Sequence, residues 1–511
     1  MKKVLCLICV LSLCMSFLVG CGNGTPVVDE TPKEVDSVVK SKGAIDVSDL
    51  SKIDLEGVSV EGNTIKIVGG SDAITEYDLT GSNTDVKLVV DTTNSVINLF
   101  VEDSLKMSNK GTVIEVIGTP DKMGCQFYTK GDVTLIDTSE YASEDERQNI
   151  INCATDLNIG GEGSIILNSK YGNGIYAAGD IDIDGVNKLT LDVTSVGDCI
   201  ATGKTISVNP KSMNLVSEEG KCITAEGNLT VDNGTIVIQA GDEGIESKGI
   251  LSINGGVLDI TSDDDALNAG TPDALKEERE ALNPGHPEMP EGEMPPQWNG
   301  ENPPPMPEKK PEFNGGKARI GGGGHRKMPE LPEGVTPGMA PEKVLTEEDL
   351  KFFSEHCIEI SGGKISITAN GDAIDSNGNL TISGGEIFIN GPVGFDNSAL
   401  DCDGAMNISG GKISCVFSGG MIQKPAEGSV KSLVYKFENG LKIGDKIELK
   451  DSEGKVIVEH KVGVEAPVFM YLGNEITDGS TYTISLNGTD ESTQITIDVN
   501  ADLKRMKERV E

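Results

Sequence analysis

A repeat constrains this chain more than any other feature. An apolar residue recurs at Ile151, Ile175, Ile200, Ile223, Ile245 and Leu267, at spacings of 24, 25, 23, 22 and 22 residues, and returns at Ile374 and Leu400. Each copy is followed by an apolar-x-apolar run, a Gly-containing turn and another alternating run, as in Leu251 to Ile260, Ile358 to Ile367 and Leu380 to Ile389. A period of 22 to 25 with short strands and no helix suits one coil of a parallel β-helix. Leucine-rich repeats share the period but need a Leu/Asn pattern that is absent here. Each coil buries its inward Ile, Val and Leu against the coils above and below, ~4.8 Å away. The fold class is therefore all-β: a single-stranded parallel β-helix, or solenoid.

Length alone would divide 511 residues into three or four domains. The repeat replaces that division with one array running from 51 to 270, interrupted, and resuming from 357 to 423. From Leu267 to Ile374 is 107 residues where one coil takes about 22, so roughly 85 are extra. They fall at 271–356, a Pro-, Met- and Gly-rich insertion expected to be mostly disordered. Its end carries helix signals: Thr346 as N-cap, then Glu347, Glu348 and Asp349. From 424 to 500 the pattern changes to alternating runs with hairpin turns, an antiparallel β cap over the open end. A charged tail, 501–511, follows. The less regular stretch from about Ile53 to Ile136 supplies the first coils and the N-terminal cap.

The first twenty residues are a secretory leader: Lys2 and Lys3, then an apolar run from Val4 to Leu18, too short to span comfortably. Leu18-Val19-Gly20-Cys21 resembles the bacterial lipobox, in which Cys21 is diacylated and becomes the new N-terminus. Polar residues 21–50 then form a tether. The mature chain needs no transmembrane helix, because the anchor is lipid. The expected location is the extracellular face of the bacterial cell membrane, as a lipid-anchored monomer. Seven cysteines remain after the leader and Cys21: Cys125, Cys153, Cys199, Cys222, Cys357, Cys402 and Cys415. An odd number without CxxC pairs argues against a disulfide framework or a zinc site and for small buried residues.

Charge narrows the partners. Lys+Arg total 43 against 82 Asp+Glu, a formal net charge of −39. Such a field repels nucleic acid and anionic membrane surfaces. Dense carboxylates suit hard, oxygen-binding cations. The position two before the repeated apolar residue reads Asn173, Asp198, Lys221, Glu243, Asp265, Asp372 and Ser398. Like charges stacked at coil spacing repel, so a lysine, protonation or a bound cation must offset them. The candidate calcium ligands are Asp198, Asp242, Glu243, Asp263, Asp264, Asp265 and Asp372, with Asp263 to Asp265 beside Asp242 and Glu243 foremost. The position one before the apolar residue is always small: Gly174, Cys199, Cys222, Gly244, Ala266, Ala373 and Ala399. Cys199 and Cys222 there are steric members of the ladder, near enough on adjacent coils for a disulfide only under strict geometry.

Other motifs fall away. Asp180, Asp182, Asp184 and Gly185 imitate an EF-hand start, but the twelfth position is Leu191 rather than Glu, so an alternating strand is expected. No Ser/His/Asp set can be assembled from His286, His325, His356 and His460. Arg is absent from 148–278 and 327–504, so a base on the repeats would have to be Lys204, Lys221, Lys248 or a carboxylate tuned upward. The aromatics nearest the repeats that could stack on a sugar are Tyr171 and Tyr176. Trp298, the single Trp, lies in the insertion.

The runs Asp264-Asp265-Ala266-Leu267-Asn268-Ala269 and Gly371-Asp372-Ala373-Ile374-Asp375-Ser376, with Ser398 to Gly404 as a last-coil motif, resemble the clostridial carbohydrate-binding domain-containing β-helix family over about 85 to 490. The resemblance implies a right-handed parallel β-helix shaped like pectate lyases, with bound calcium and affinity for cellulose or acidic polysaccharide. Lys221, the Asp242-Glu243 pair and the long insertion depart from the family pattern. The expected function is non-catalytic polysaccharide binding on a calcium-bearing β-helix displayed at the cell surface. A calcium-dependent polysaccharide lyase and a structural or adhesive surface protein are the alternatives.

Overall fold

The computed structural model describes residues 39–70, 74–119, 123–140, 148–184, 188–272, 275, 346–423 and 425–496. The expected leader, Cys21, residues 276–345 of the insertion and the tail from 501 lie outside the described residues, as do His286, Trp298 and His325. No described helix is long and apolar enough to cross a membrane.

The described chain is a parallel β-helix of about 11 turns. One column of apolar residues marks them: Ile65, Leu88, Ile114, Ile151, Ile175, Ile200, Ile223, Ile245, Leu267, Ile374 and, just ahead of the Asp375–Asp401 pair, Leu400. None is more than 3% exposed. Each coil has three faces. In the coil starting at Ile245, face I is Ile245–Ser247, face II is Leu251–Ile253 and face III is Val257–Ser262. Alternation puts Leu251, Ile253, Leu258 and Ile260 inside, against their counterparts one coil away.

The insertion does not disturb the stack. It leaves after face I of one coil, Leu267–Ala269, and the chain returns at face II, Ile358–Ile360, in register with Leu251–Ile253. Helix α1, Glu347–Glu355, brings it back. The expected N-cap is present: Thr346 Oγ1 accepts from the Asp349 amide (3.1 Å), and an Asp349 oxygen accepts from the Thr346 amide (2.8 Å). Asp182 lies on a strand, Ile181–Asp184, and accepts from Asn158 Nδ2 at 3.0 Å. The EF-hand imitation is thus an alternating strand, as Leu191 predicts.

The corner between faces II and III depends on paired glycines. Gly256, Gly363, Gly385 and Gly411 hold φ of 90°, 90°, 91° and 83°, which disfavours a side chain. Their preceding partners serve another need. A Cβ on Gly384 would sit 2.2 Å from the Ser361 carbonyl oxygen of the coil above, and one on Gly410 would sit 2.3 Å from that of Ser383.

Both ends are closed. Among the described residues the first solenoid strand starts at Val39, inside the stretch expected to be a tether. Val39–Asp46 adds a parallel strand beside Ile74–Asn83 and buries Ile45, with Val47 buried just beyond. Polar composition hides this short alternation in the sequence. Val58–Glu61 and Thr64–Val68 then form the antiparallel entry to face I. At the other end Val468–Gly473 covers the last face III strand, Lys412–Phe417, in antiparallel register. A four-stranded antiparallel sheet of Lys446–Lys450, Val456–Lys461, Thr481–Leu486 and Thr489–Thr496 completes the cap.

The cap is pinned by a buried polar set that the sequence does not bring together. The fully buried His460 takes a hydrogen bond from Ser414 at Nδ1 (2.7 Å) and donates from Nε2 to Asn390 Oδ1 (3.1 Å). Asn390 Oδ1 also accepts the Gly463 amide at 2.7 Å. Ser414 and His460 are closed off from solvent, so this is a structural joint.

Two outcomes are expected. Gly384→Ala should lower stability by about 1–3 kcal/mol, because coil spacing must open to admit a methyl group; chemical denaturation checks it. Burial pulls the His460 pKa down to about 4, so its stabilising neutral form is retained above about pH 6.5 and lost as pH falls toward 4. His460→Gln should flatten the acid limb of melting temperature against pH between those values.

Candidate functional site

The corner from face III to face I carries the acidic column. Its first role is structural. Asn173 Oδ1 accepts the Asp198 amide of the next coil (2.8 Å), Asp198 Oδ1 the Lys221 amide (2.9 Å) and Asp265 Oδ1 the Asp372 amide (2.7 Å). Asp372 Oδ1 accepts the Ser398 amide in the same way. Corner amides have no ladder partner of their own, so a short side-chain acceptor on one coil satisfies the amide on the next. A second corner repeats the device: Asp156 serves Asp180, Asp180 serves Thr205, Asn228 serves Ile250 and Asn379 serves Ala405. Stacked acids in the column therefore have a use that needs no ligand.

The second oxygen of each carboxylate is where the charge problem lies, and it is handled in two ways. In the middle coils lysines handle it. Glu246, 2% exposed although outward on face I, is bonded by the ammonium groups of Lys221 and Lys248 and by Thr224 Oγ1 at 3.2 Å. Lys221 also reaches Glu243 at 3.2 Å. Burial opposes the charge on Lys221, but Glu246 and then Glu243 outweigh it and hold the ammonium well above its usual range. Burial and the hydrogen bond with Glu243 push Asp242 up to about 7. Asp198 is raised by burial, against the pull of the Lys221 amide and charge. Lys221 thus separates Asp198 from the acids further along the axis.

Beyond the insertion no lysine enters the column. Asp372, Asp375 and Asp401 each place a carboxylate oxygen within 4.8 Å of the others. Asp401 is also bonded by Gln423 Nε2. Burial, then Asp375 and Asp264, push Asp265 up to about 8. Burial, then Asp401 and other acids, push Asp372 up to about 6, against the Ser398 amide. Asp263 and Asp264 are exposed at the same corner, and Asp263 is 3.4 Å from Asn370 Nδ2.

The convergent group is therefore Asp265 and Asp372 with Asp375 and Asp401, the latter two not among the sequence candidates. Both occupy the position just after the repeated apolar residue, which points outward on face I. That column reads Tyr176, Ala201, Thr224, Glu246, Asn268, Asp375 and Asp401, and was legible once the period was known. Tyr176 lies on the same face five coils away, about 24 Å at normal strand spacing. Tyr171 lies at the corner, with Lys170 Nζ 5.6 Å from its ring centre. The structure does not bring either tyrosine to the carboxylates.

The cysteines are what their positions imply. All seven are buried thiols; Cys199 and Cys222 stand 3.9 Å apart in the small-residue ladder.

A family model described as "Carbohydrate-binding domain-containing protein" matches residues 61–390. A protein of that description from Acetivibrio thermocellus is 24% identical over 244 residues, covering 46% of this chain and 83% of its own. Among solved structures, the polysaccharide lyase-like protein from C. thermocellum, as a gadolinium derivative, aligns over 72% of this chain and 97% of its own, at 16% identity and a TM-score of 0.33.

One outcome tests the charge assignment. Asp265 is raised in the fold, so its contribution to stability is full below about pH 4 and lost as pH rises through about 8. Asp265→Asn keeps the Oδ1 acceptor and removes the charge. Without divalent cations it should melt above wild type at pH 9, the gap closing toward pH 5.

Proposed function

The chain belongs to the carbohydrate-binding domain-containing protein family, and from that premise we propose that it is a lipid-anchored surface protein that binds polysaccharide without cleaving it, through calcium held at the last corners of the solenoid. The observation that carries this is the meeting of Asp372, Asp375 and Asp401 within 4.8 Å, beside Asp265. Calcium takes six to eight oxygens in flexible arrangements. These hard donors fit it, and the raised pKa values of Asp265 and Asp372 mark a place where positive charge would be stabilising. Asp372, Asp375 and Asp401 would hold the ion, with Asp265 and Asp264 adding negative charge next to them. The ion would let a strongly acidic protein take the carboxylates of an acidic plant glycan, which it would otherwise repel. Cellulose, being neutral, needs no such bridge. The lipid anchor rests on the Leu18 to Cys21 motif.

A lyase is the second possibility, and Asp265 is the feature that favours it. A carboxyl near 8 can act as a base at neutral pH. Lys221 cannot, because its glutamates hold it protonated.

Depletion of the protein by polygalacturonate and by cellulose, each with calcium and with chelator, separates these. Calcium-dependent depletion by polygalacturonate without ultraviolet-absorbing unsaturated uronides is the expected result, and Asp375→Asn should weaken it at least tenfold. Depletion by polygalacturonate that persists in chelator counts against the calcium bridge, and release of unsaturated product establishes the lyase.

A further inference from the structure

One corner of the solenoid is built differently from its neighbours. From the last inward residue of face III to the first of face I, the chain takes seven steps in Ile260 to Leu267 and Ile367 to Ile374, but eleven in Ile389 to Leu400. The four extra residues account for the 26-residue spacing between Ile374 and Leu400. Gly391 and Pro392 are buried at the start of this corner, but its middle faces outward. Val393 is 52% exposed and Phe395 is 63% exposed. Among the described residues Phe395 is the one aromatic that is exposed.

The next corner continues the same ledge. Ser418 bonds back to it twice, its amide to the Pro392 carbonyl (2.9 Å) and its hydroxyl to that of Gly394 (2.6 Å). Gly420 packs so tightly that a Cβ there would be 2.3 Å from the Phe395 carbonyl oxygen. Met421 follows, 55% exposed, and holds φ of 44°, a conformation that costs a non-glycine residue about 1 kcal/mol or more. Three exposed apolar side chains thus sit on two stacked corners that are firmly bonded to each other.

On its other side the ledge abuts the carboxylates. The Ser398 amide donates to Asp372 Oδ1, and Asn397 Nδ2 reaches the Asn370 carbonyl at 3.3 Å. Asp396, between Phe395 and Asn397, is exposed and near enough to act on Asp372 electrostatically. A rigid apolar step bordered by carboxylate acceptors suits a molecule with one apolar face and a rim of hydroxyl donors. A pyranose ring has that character.

We propose that Phe395, with Val393 and Met421, forms a stacking ledge for a pyranose unit of the bound polysaccharide, whose hydroxyls donate to Asp396 and its neighbours. This site rests on the polysaccharide-binding function proposed above and assigns its ring-binding role to Phe395 rather than to Tyr171 or Tyr176.

The test is polymer depletion by the full chain, on cellulose and on calcium-loaded polygalacturonate, with wild type, Phe395→Ala, Phe395→Trp and Tyr176→Ala. Phe395→Ala should weaken binding about tenfold, the scale expected for losing one aromatic contact. Phe395→Trp should restore it, and Tyr176→Ala should change it less than twofold. All variants should melt with the wild type, because these side chains are not core. Wild-type binding that Phe395→Ala retains overturns the ledge and leaves the general function standing. Wild type that binds neither polymer overturns both. Polymer binding unchanged in Phe395→Ala, with reduced self-association in sedimentation, would make the ledge a contact between copies of this chain.

Discussion

Each coil of this protein is held by the coil before it. Parallel backbone ladders run along three faces, an inward column of Ile and Leu packs beneath them, and at two corners an Asp or Asn side chain satisfies an amide of the next coil. In such a stack almost every interaction is between neighbours. Whatever occupies a position on one coil lies about one strand spacing from its equivalent on the next. That geometry makes the apolar column strong, since identical side chains nest well. It makes any charged column costly, since like charges meet at close range.

The way the charge is resolved changes along the axis. Early coils carry Asn152 and Asn173 on the face and corner, which bring no charge. The middle coils enclose Glu246 between Lys221 and Lys248, a buried pair of ion pairs with Thr224 completing it. From Asp265 onward no lysine enters the corner column, and Asp265 and Asp372, near Asp375 and Asp401 on the adjoining face, respond by holding protons more tightly. The change from lysine-paired to lysine-free coils falls at the insertion. The enlarged corner with Phe395 lies on the lysine-free side. The carboxylate cluster and the enlarged corner thus share the last coils, next to the cap.

The cap protects those coils. Lys412–Phe417 would present an open strand edge without Val468–Gly473 laid antiparallel against it. The joint through Ser414, His460 and Asn390 fastens the covering sheet to the strands that bear the ledge, because Asn390 is the residue at which the enlarged corner begins.

Periodicity made the coils, the phase of their inward column, the insertion's place and the antiparallel ending readable from residue order alone. The reason is physical: a solenoid repeats one local environment, so the same residue types recur wherever that environment does. Doubled glycines such as Gly384-Gly385 were legible for the same cause. The site was less so. Asp372 and Asp265 stood out as acids, but their bonds to amides of the next coil appear only when the coils are stacked. Asp375 and Asp401 lie 26 residues apart in the chain and meet only through register. Lys221 looked like a break in the acidic column, and its partners Glu246 and Lys248 became visible only once side-chain direction was known. The exposure of Phe395 depends on how a four-residue excess leaves the stack, which no repeat pattern encodes. Local environments that recur are written in the sequence; encounters between side chains on different coils are decided by tertiary structure, because they depend on distances through space rather than along the chain.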